Sequence, residues 1–332
     1  MKKTVIFLVL FSLLLPAVQL LGEGQTEGAE KELTTVTFRM NWKFSGPHAV
    51  YLLGKDLGFY EEEGIDLQVM EGNGSVTTGQ LVGNKSDDFG LADAGALVPI
   101  MAKGLPIISV AMITPFTALA VVASKASGIR SMKDLEGKKL VVTAGDSLTQ
   151  IWPAVVAANK LDASKIDLIY VDAAAKIPTV LAGKADALLG SAGDQSAIME
   201  DQGFEVVDLK FADYGVNLLN LGIFVHKDMI KDNPDLIRRF LRATKKSHEA
   251  LDANYDKAMQ LLVGIKKELK VEVAKKQGNA YYSRMESPNC KSAAILYNCP
   301  GDWAMTVDLM KKYRDLEGEI NAADFFTNDF LP

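Results

Sequence analysis

The 332-residue sequence has few residues of the types that bind transition metals, with three histidines and two cysteines. Neither type clusters at the spacing of a zinc site, so no structural metal is expected. The sequence also has no excess of positive charge, since 36 Lys and Arg stand against 42 Asp and Glu, giving a net charge of −6. Proteins that bind nucleic acid or anionic membranes need a positively charged surface, so neither partner is expected. With 48% hydrophobic residues, the chain is long enough for two globular domains.

The N-terminal segment has the layout of an export signal. Two lysines precede an almost entirely apolar run over 5–15, and Gly22 and Gly24 supply small residues for cleavage. The sequence therefore predicts a signal peptide over 1–24, with cleavage after Gly24 or, as an alternative, after Gly22. Residues 25–34 are predicted to form a flexible leader.

An uncleaved membrane anchor is the alternative interpretation of this segment, because its apolar run is about long enough to span a bilayer. Pro16 and Gln19 interrupt the run and favour cleavage. No cysteine stands at the cleavage point, so we expect an unlipidated periplasmic protein with no stable membrane insertion.

The cysteines, Cys290 and Cys299, are nine positions apart. In an exported protein one local disulfide is expected, with two free buried thiols as the alternative. Closing so short a loop would stabilise the fold by about 2–3 kcal/mol in the chain-entropy model.

Short apolar runs alternate with helical periodicity through most of the chain. We predict strands at 35–40, 65–70, 89–92, 107–111, 118–123, 140–142, 166–171, 185–189 and 219–225. We predict helices at 48–57, 75–82, 97–102, 148–158, 177–182, 195–202, 235–253, 257–269 and 302–316. The alternation, with glycine-marked turns, predicts doubly wound α/β sheets with parallel strands.

The chain is predicted to form two lobes joined by two hinge crossings. The first lobe would comprise 35–115 and 226–332, with the C-terminal helices packed on it, and the second lobe 116–225. We expect the crossings near 114–117 and 220–224. A hinge between two sheets creates a cleft that opens and closes, and ligands bind beyond the carboxyl ends of the strands.

Several motifs occur in the order found in one family. They are Asn41-Trp42 before Pro47-His48, the stretch 58–67, Asp88-Phe89-Gly90, the stretches 135–139 and 183–187, and Asn233-Pro234 before 237–241. Together they resemble the sulfonate, taurine and thiamine-pyrimidine binding proteins, a family that also contains the fungal thiamine-pyrimidine synthases. The resemblance covers essentially the whole mature chain. It implies the type II periplasmic-binding-protein fold, a small-molecule ligand and the permease of an ABC transporter as partner; we expect a monomer without a cofactor.

The synthases of this family consume a lysine and a histidine of their own and carry a cysteine-rich run before the returning strand. This sequence has Ala92, Ala96 and the leucine-rich stretch 218–222 at those places. No Ser/His/Asp set or carboxylate pair is evident either. We therefore expect no enzymatic activity, with a synthase-like enzyme as the alternative.

In the resembling family, Asn-Trp with a histidine six residues after the tryptophan is typical of the pyrimidine-recognising branch. Beyond the first strand, the Trp42 indole offers a flat face to a planar ligand, with Phe44 on the same wall. His48, at the start of a helix, is predicted to be neutral and to hydrogen-bond a ligand heteroatom. The alternatives are core packing for Trp42 and backbone capping for His48.

Other candidates lie at predicted helix starts and strand ends. Ser75 and Thr77, and in the second lobe Ser147 and Thr149, would leave backbone N–H groups directed at the cleft, although ordinary helix capping explains the same pattern.

Trp152 is predicted either to sandwich a ring against Trp42 or to pack in the core. Asp93, Asp194 and Tyr214 are predicted to receive ligand N–H donors.

These side chains favour a planar heteroaromatic ligand, such as a thiamine-pyrimidine precursor or a flavin-like ring. The one arginine in the predicted cleft segments, Arg39, lies within the first strand. A sulfonate, taurine or another small oxyanion stays an alternative, because backbone N–H groups alone can hold an anion. A sensory receptor docked on a membrane signalling protein is the alternative to import.

Overall fold

The computed structural model describes residues 32–287, 289–314, 316 and 318–332. The predicted signal peptide and nearly all of the predicted leader lie outside the described residues. Within those ranges, no helix combines the length and apolar character needed to cross a membrane.

Ten strands in the described part of the chain form two five-stranded sheets. They are β1 Thr34–Arg39, β2 Ile65–Met70, β3 Phe89–Asp93, β4 Ile107–Met112, β5 Leu119–Ser124, β6 Lys139–Val142, β7 Asp167–Tyr170, β8 Ala187–Ser191, β9 Val206–Lys210 and β10 Leu221–His226. The first sheet has the order β2-β1-β3-β10-β4, and the second has the order β7-β6-β8-β5-β9. We call each sheet with its flanking helices the first and the second lobe.

The helices lie mainly on the faces of the two sheets. They are α1 Ala49–Asp56, α2 Phe59–Glu62, α3 Ser75–Gly83, α4 Ala94–Met101, α5 Ser147–Ala158, α6 Lys176–Leu181, α7 Gln195–Asp201, α8 Met229–Asp232, α9 Pro234–Glu249, α10 Tyr255–Ile265, α11 Val271–Tyr282 and α12 Pro300–Arg314. Because helices cover both faces of the central strands, every residue of β3 is buried. In the sequence, strands that are buried on both faces are continuous apolar runs and show no alternation of polar and apolar residues.

Both sheets are mixed, so the prediction of parallel sheets was wrong for two strands. β10 runs antiparallel to β3 and β4, and β5 runs antiparallel to β8 and β9. These are the strands that the chain enters directly from the other lobe. No crossover helix within their own sheet orients them, and a parallel neighbour requires one.

Two crossing segments, 113–118 and 211–220, join the lobes and lie side by side. Asn220 N–H donates to the Thr114 carbonyl at 3.1 Å, and Ile113 N–H donates to the Leu221 carbonyl at 2.9 Å. The boundary at which the chain returns to the first lobe was predicted between residues 225 and 226. It lies before residue 221 instead, because residues 221–226 form β10 of the first sheet.

The C-terminal helices do not pack on the first lobe alone. α9 and α10 contact α1, as predicted, but α12 contacts both α4 and α5, and α11 contacts α7 of the second lobe. α11, which the sequence analysis missed, also packs on the turn Gly46–His48. A Cβ atom at Gly46 would lie 2.3 Å from the Ala274 carbonyl oxygen, so glycine permits this close approach.

A disulfide joins Cys290 and Cys299. The loop that it closes lies against the end of β4, where Met112 N–H donates to the Leu296 carbonyl at 3.0 Å. The disulfide loop is thus next to the first crossing.

Candidate functional site

A cavity of about 80 Å³ lies between the two lobes. Its lining comes from the carboxyl ends of strands in both sheets, as the strand-end rule predicts. Trp42 follows β1 and Asp93 ends β3 in the first lobe, while Ser147 follows β6 and Ser191 ends β8 in the second.

The lobes touch each other beside this cavity through backbone atoms. Val76 N–H donates to the Gly145 carbonyl at 3.1 Å, and Ser147 Oγ donates to Ser75 Oγ at 3.0 Å. Gly74, with φ of +131°, approaches so closely that a Cβ atom there would lie 2.2 Å from the Gly145 oxygen. The structure therefore represents the closed arrangement of the cleft.

Trp42 is half-buried and borders the cavity. The Lys176 ammonium lies over its ring, 5.1 Å from the ring centroid, which is a cation–π distance. Phe44, predicted for the same wall, lies instead in a wider groove on the other side of Trp42 and Lys176. Trp42 thus borders two spaces, one with a mixed polar and apolar lining and one that is largely apolar.

His48 lines the cavity, but both of its ring nitrogens are engaged within the protein. Ser45 N–H donates to Nδ1 at 3.1 Å, which assigns the proton to Nε2, and Nε2 donates to Asn41 Oδ1 at 3.0 Å. Burial lowers the pKa of His48 to about 4, so the ring is neutral as predicted. The prediction that His48 hydrogen-bonds a ligand is therefore corrected. The His48 ring positions Ser45 and Asn41 instead. Asn41, with its oxygen occupied, keeps its amide N–H groups for a ligand.

A buried ion pair, which the sequence analysis did not predict, lies on the second-lobe side. Lys176 Nζ is 3.1 Å from Asp146 Oδ2, and both side chains are about 5% exposed or less. Asp146 also caps α5, because its Oδ1 accepts from Leu148 N–H at 3.0 Å. Burial lowers the pKa of Lys176, while Asp146 opposes that change.

Gln277 of α11 connects the lobes at the other end of the cavity. Its Nε2 donates to Asp194 Oδ1 at 2.7 Å, and its Oε1 accepts from Gly46 N–H at 3.1 Å. Burial raises the pKa of Asp194 to about 6, although its hydrogen bond with Ser45 and the charges of Arg284 and Lys176 act in the opposite direction. Asp194 is therefore mostly ionised at pH 7.

Gln277, Tyr281 and Arg284 line the same side of the cavity. Their spacing, i, i+4 and i+7, places them on one face of α11 and its following turn, so helical periodicity is the signal that would have found them. The sequence analysis placed no arginine in the cleft beyond Arg39, and Arg284 corrects this. Arg39 itself pairs with Asp87 at 2.9 Å, away from the cavity lining.

Two predicted residues contribute to packing rather than to the cavity. Trp152 is 5% exposed and packs in a core cluster that includes residues of both lobes, with its ring centroid 6.3 Å from that of Phe211. Tyr214 packs against the same core cluster. The predicted sandwich of a ring between Trp42 and Trp152 is therefore wrong.

The predicted hydroxyl residues divide into two groups. Ser75 and Ser147 line the cavity. Thr77 lies against the Gly145 backbone at the contact between the lobes. Thr149 Oγ1 donates to the Asp146 carbonyl at 2.8 Å, a local bond within the first turn of α5.

Asp93 lines the cavity and caps α4, because its Oδ1 accepts from Ala96 N–H at 2.9 Å. Burial raises its pKa to about 7. A raised folded-state pKa means that the folded protein binds the proton more tightly than the unfolded chain does. The contribution of Asp93 to stability therefore falls as pH rises from about 4 to about 7.

Asp93→Asn should remove this pH dependence, since the amide keeps the capping oxygen without a titrating proton. We expect the variant to exceed the wild type in free energy of unfolding by up to about 4 kcal/mol at pH 8, and by much less at pH 5. Urea unfolding at both pH values measures the difference, and the histidine contributions cancel between the two proteins. An equal difference at pH 5 and pH 8 would contradict the assignment.

The chain has relatives of known name along most of its length. The family model described as NMT1/THI5 like matches residues 45–258. The 4-amino-5-hydroxymethyl-2-methylpyrimidine phosphate synthase of Legionella pneumophila is 25% identical over 316 residues, covering 90% of this chain and 92% of that protein. The formylaminopyrimidine-binding protein of Halalkalibacterium halodurans is 23% identical over 284 residues, covering 83% and 86%.

Among solved structures, the fold is similar to that of the alkanesulfonate-binding protein SsuA from Xanthomonas axonopodis pv. citri bound to MOPS. The TM-score is 0.69 at 15% identity, with 89% of this chain and 99% of that chain covered. This similarity confirms the predicted type II periplasmic-binding-protein fold. Since the family model spans well over half of the chain, the protein belongs to the NMT1/THI5-like family.

Proposed function

We propose that this protein is the periplasmic ligand-binding component of an ABC importer and that it binds a small planar heteroaromatic compound, such as a thiamine-pyrimidine precursor, between its lobes. The observation that carries the proposal is the Trp42 indole at the edge of a cavity whose side chains supply both donors and acceptors. A planar ring with heteroatoms has a face for the indole and an edge for such groups. The formylaminopyrimidine-binding relative is consistent with this ligand class.

The charges around the cavity favour a neutral or weakly basic ligand over an oxyanion. Lys176 is paired with Asp146, and the charge of Arg284 acts on Asp194. Asp93 is partly ionised at neutral pH. The cations are therefore balanced by carboxylates, whereas a sulfonate site would gain from surplus positive charge.

Transport by such a protein requires that the ligand favour the closed form. A ligand shifts an open–closed equilibrium only through contacts that it makes better in the closed state. Here Trp42 of the first lobe and Ser191 of the second border one cavity, so a molecule held by both would bridge the lobes. We expect a Kd near micromolar or lower, corresponding to about −8 kcal/mol or below.

The synthase reaction of the relatives is disfavoured for this chain. The positions that the family resemblance assigns to the consumed lysine and histidine hold Ala92 and Ala96, and both alanines are fully buried. Neither methyl group can carry that chemistry. Asn220 and Leu221, in the stretch that is cysteine-rich in the synthases, line the cavity instead.

Ligand identity is tested by native mass spectrometry of whatever copurifies with the exported protein. Calorimetric titration should follow with 4-amino-5-hydroxymethyl-2-methylpyrimidine, formylaminopyrimidine, riboflavin, taurine and MOPS. We expect at least one of the heteroaromatic compounds to bind with a Kd near micromolar, and the protein mass to stay unchanged after incubation with it. Binding of taurine or MOPS alone would contradict the proposed ligand class. Loss of uptake of the bound compound in a deletion strain would test the importer role.

A further inference from the structure

A second and larger space lies directly outside the cavity. This groove has a volume of about 530 Å³. It shares five lining residues with the inner cavity: Trp42, Lys176, Asp194, Gln195 and Gln277. The two spaces are therefore neighbours, and a molecule that extended from the inner cavity into the groove would pass these shared residues.

The groove differs from the cavity in its chemistry. Much of its lining is apolar, with contributions from Phe44, Ile177, Pro178, Ile198, Leu269 and Val273. They come from both lobes and from α11, so the groove is complete only when the lobes are closed.

The lysines of the groove are already paired with carboxylates. Lys266 lies 3.0 Å from Glu71, and Lys43 lies 3.7 Å from the same carboxylate. Lys270 lies 2.8 Å from Asp201, and the border residue Lys176 pairs with Asp146 as described above. A charged group entering the groove would have to compete with these pairs, whereas an uncharged apolar group would meet only the apolar lining.

We propose that the groove is a second compartment of the ligand site and that it holds an uncharged apolar arm, a second ring or a short hydrocarbon chain, attached to the polar ring in the inner cavity. This inference rests on the proposed function. Pockets for organic ligands usually measure about 300–1,000 Å³. The inner cavity alone is far smaller, and the two spaces together fall within that range.

The test compares three probes by calorimetry: 4-amino-5-hydroxymethyl-2-methylpyrimidine, its benzyl ether and its 4-carboxybenzyl ether. We expect the benzyl ether to bind at least 10-fold more tightly than the parent alcohol, because the added ring is buried against apolar side chains. The carboxybenzyl ether should lose that gain, since its charge meets a groove whose cations are already paired.

Ile198→Trp provides the matched variant, because the larger side chain would occupy the groove and Ile198 itself does not line the inner cavity. It should abolish the gain of the benzyl ether and leave the affinity for the parent alcohol unchanged. Ile265→Trp, at a side chain 56% exposed and outside the groove lining, is the control and should preserve both affinities.

Two results separate failure of this inference from failure of the proposed function. If the parent alcohol binds and the benzyl ether binds no more tightly, or if Ile198→Trp weakens both equally, the second compartment is refuted and the pyrimidine site stands. If none of the probes binds to wild type, the proposed pyrimidine ligand fails and the inference fails with it.

Discussion

Trp42→Ala should weaken binding of the heteroaromatic ligand by roughly 30- to 150-fold while leaving the ligand-free protein folded. Loss of the indole removes a stacking surface and the apolar area that it buries, together about 2–3 kcal/mol. Because Trp42 is only half-buried at the edge of the cavity, few core contacts depend on it. Isothermal calorimetry gives the change in Kd, and differential scanning calorimetry without ligand gives the change in Tm.

Two further tryptophan variants serve as controls. Trp42→Phe keeps a planar ring and should recover most of the affinity. Trp152→Ala removes a buried indole from the core cluster that spans both lobes and should lower the free energy of unfolding by about 3–5 kcal/mol. A Trp42→Ala protein that loses as much stability as Trp152→Ala would show that Trp42 is a packing residue.

Lys176→Met should destabilise the protein by about 3 kcal/mol, because it leaves the Asp146 carboxylate buried without its cation. Asp146→Asn should also destabilise, since it leaves the Lys176 ammonium unpaired. The double variant should recover most of the loss, because neither charge is then left alone. Urea unfolding of the four proteins at pH 7 completes a double-mutant cycle.

The exposed pair Lys85–Asp228 offers a matched comparison at 2.7 Å, with both side chains more than half exposed. Lys85→Met should cost less than about 1 kcal/mol, since exposed ion pairs contribute little. If the losses at Lys176 and Asp146 simply add in the double variant, the two charges are not coupled.

Sequence periodicity predicted most elements of the fold but not the direction of its strands. The strand over 65–70 was predicted with the observed bounds, and α5 begins at Ser147, one residue before its predicted start. β5 and β10 were located but assigned the wrong direction. Alternating polar and apolar residues and continuous apolar runs indicate which residues of a strand are buried. The same residues are buried whether the strand is parallel or antiparallel to its neighbours, so the pattern does not reveal the direction.

The site was predictable where it depends on strand ends and unpredictable where it depends on tertiary contact. Trp42 and Asp93 border the cavity because strands end there. Gln277, which is 235 residues after Trp42 and 184 after Asp93, reaches it only because α11 packs across both lobes.

Trp152 illustrates a signal that was present and not used. Leu148, Ile151, Trp152 and Val155 follow the spacing of one apolar helix stripe, and all four side chains are buried. That spacing indicates the core-facing side of α5.

The contact between Gly74 and Gly145 at the cleft affects the surface that a membrane partner would bind. Gly74 approaches Gly145 main chain to main chain, so no side chain at that point can adapt to different guests. The distance between the two lobes in the closed form is then set by the main chain. If the protein serves an importer as proposed, every ligand small enough to permit that contact would leave the same outer shape, and recognition of the loaded protein would then not depend on which compound is bound.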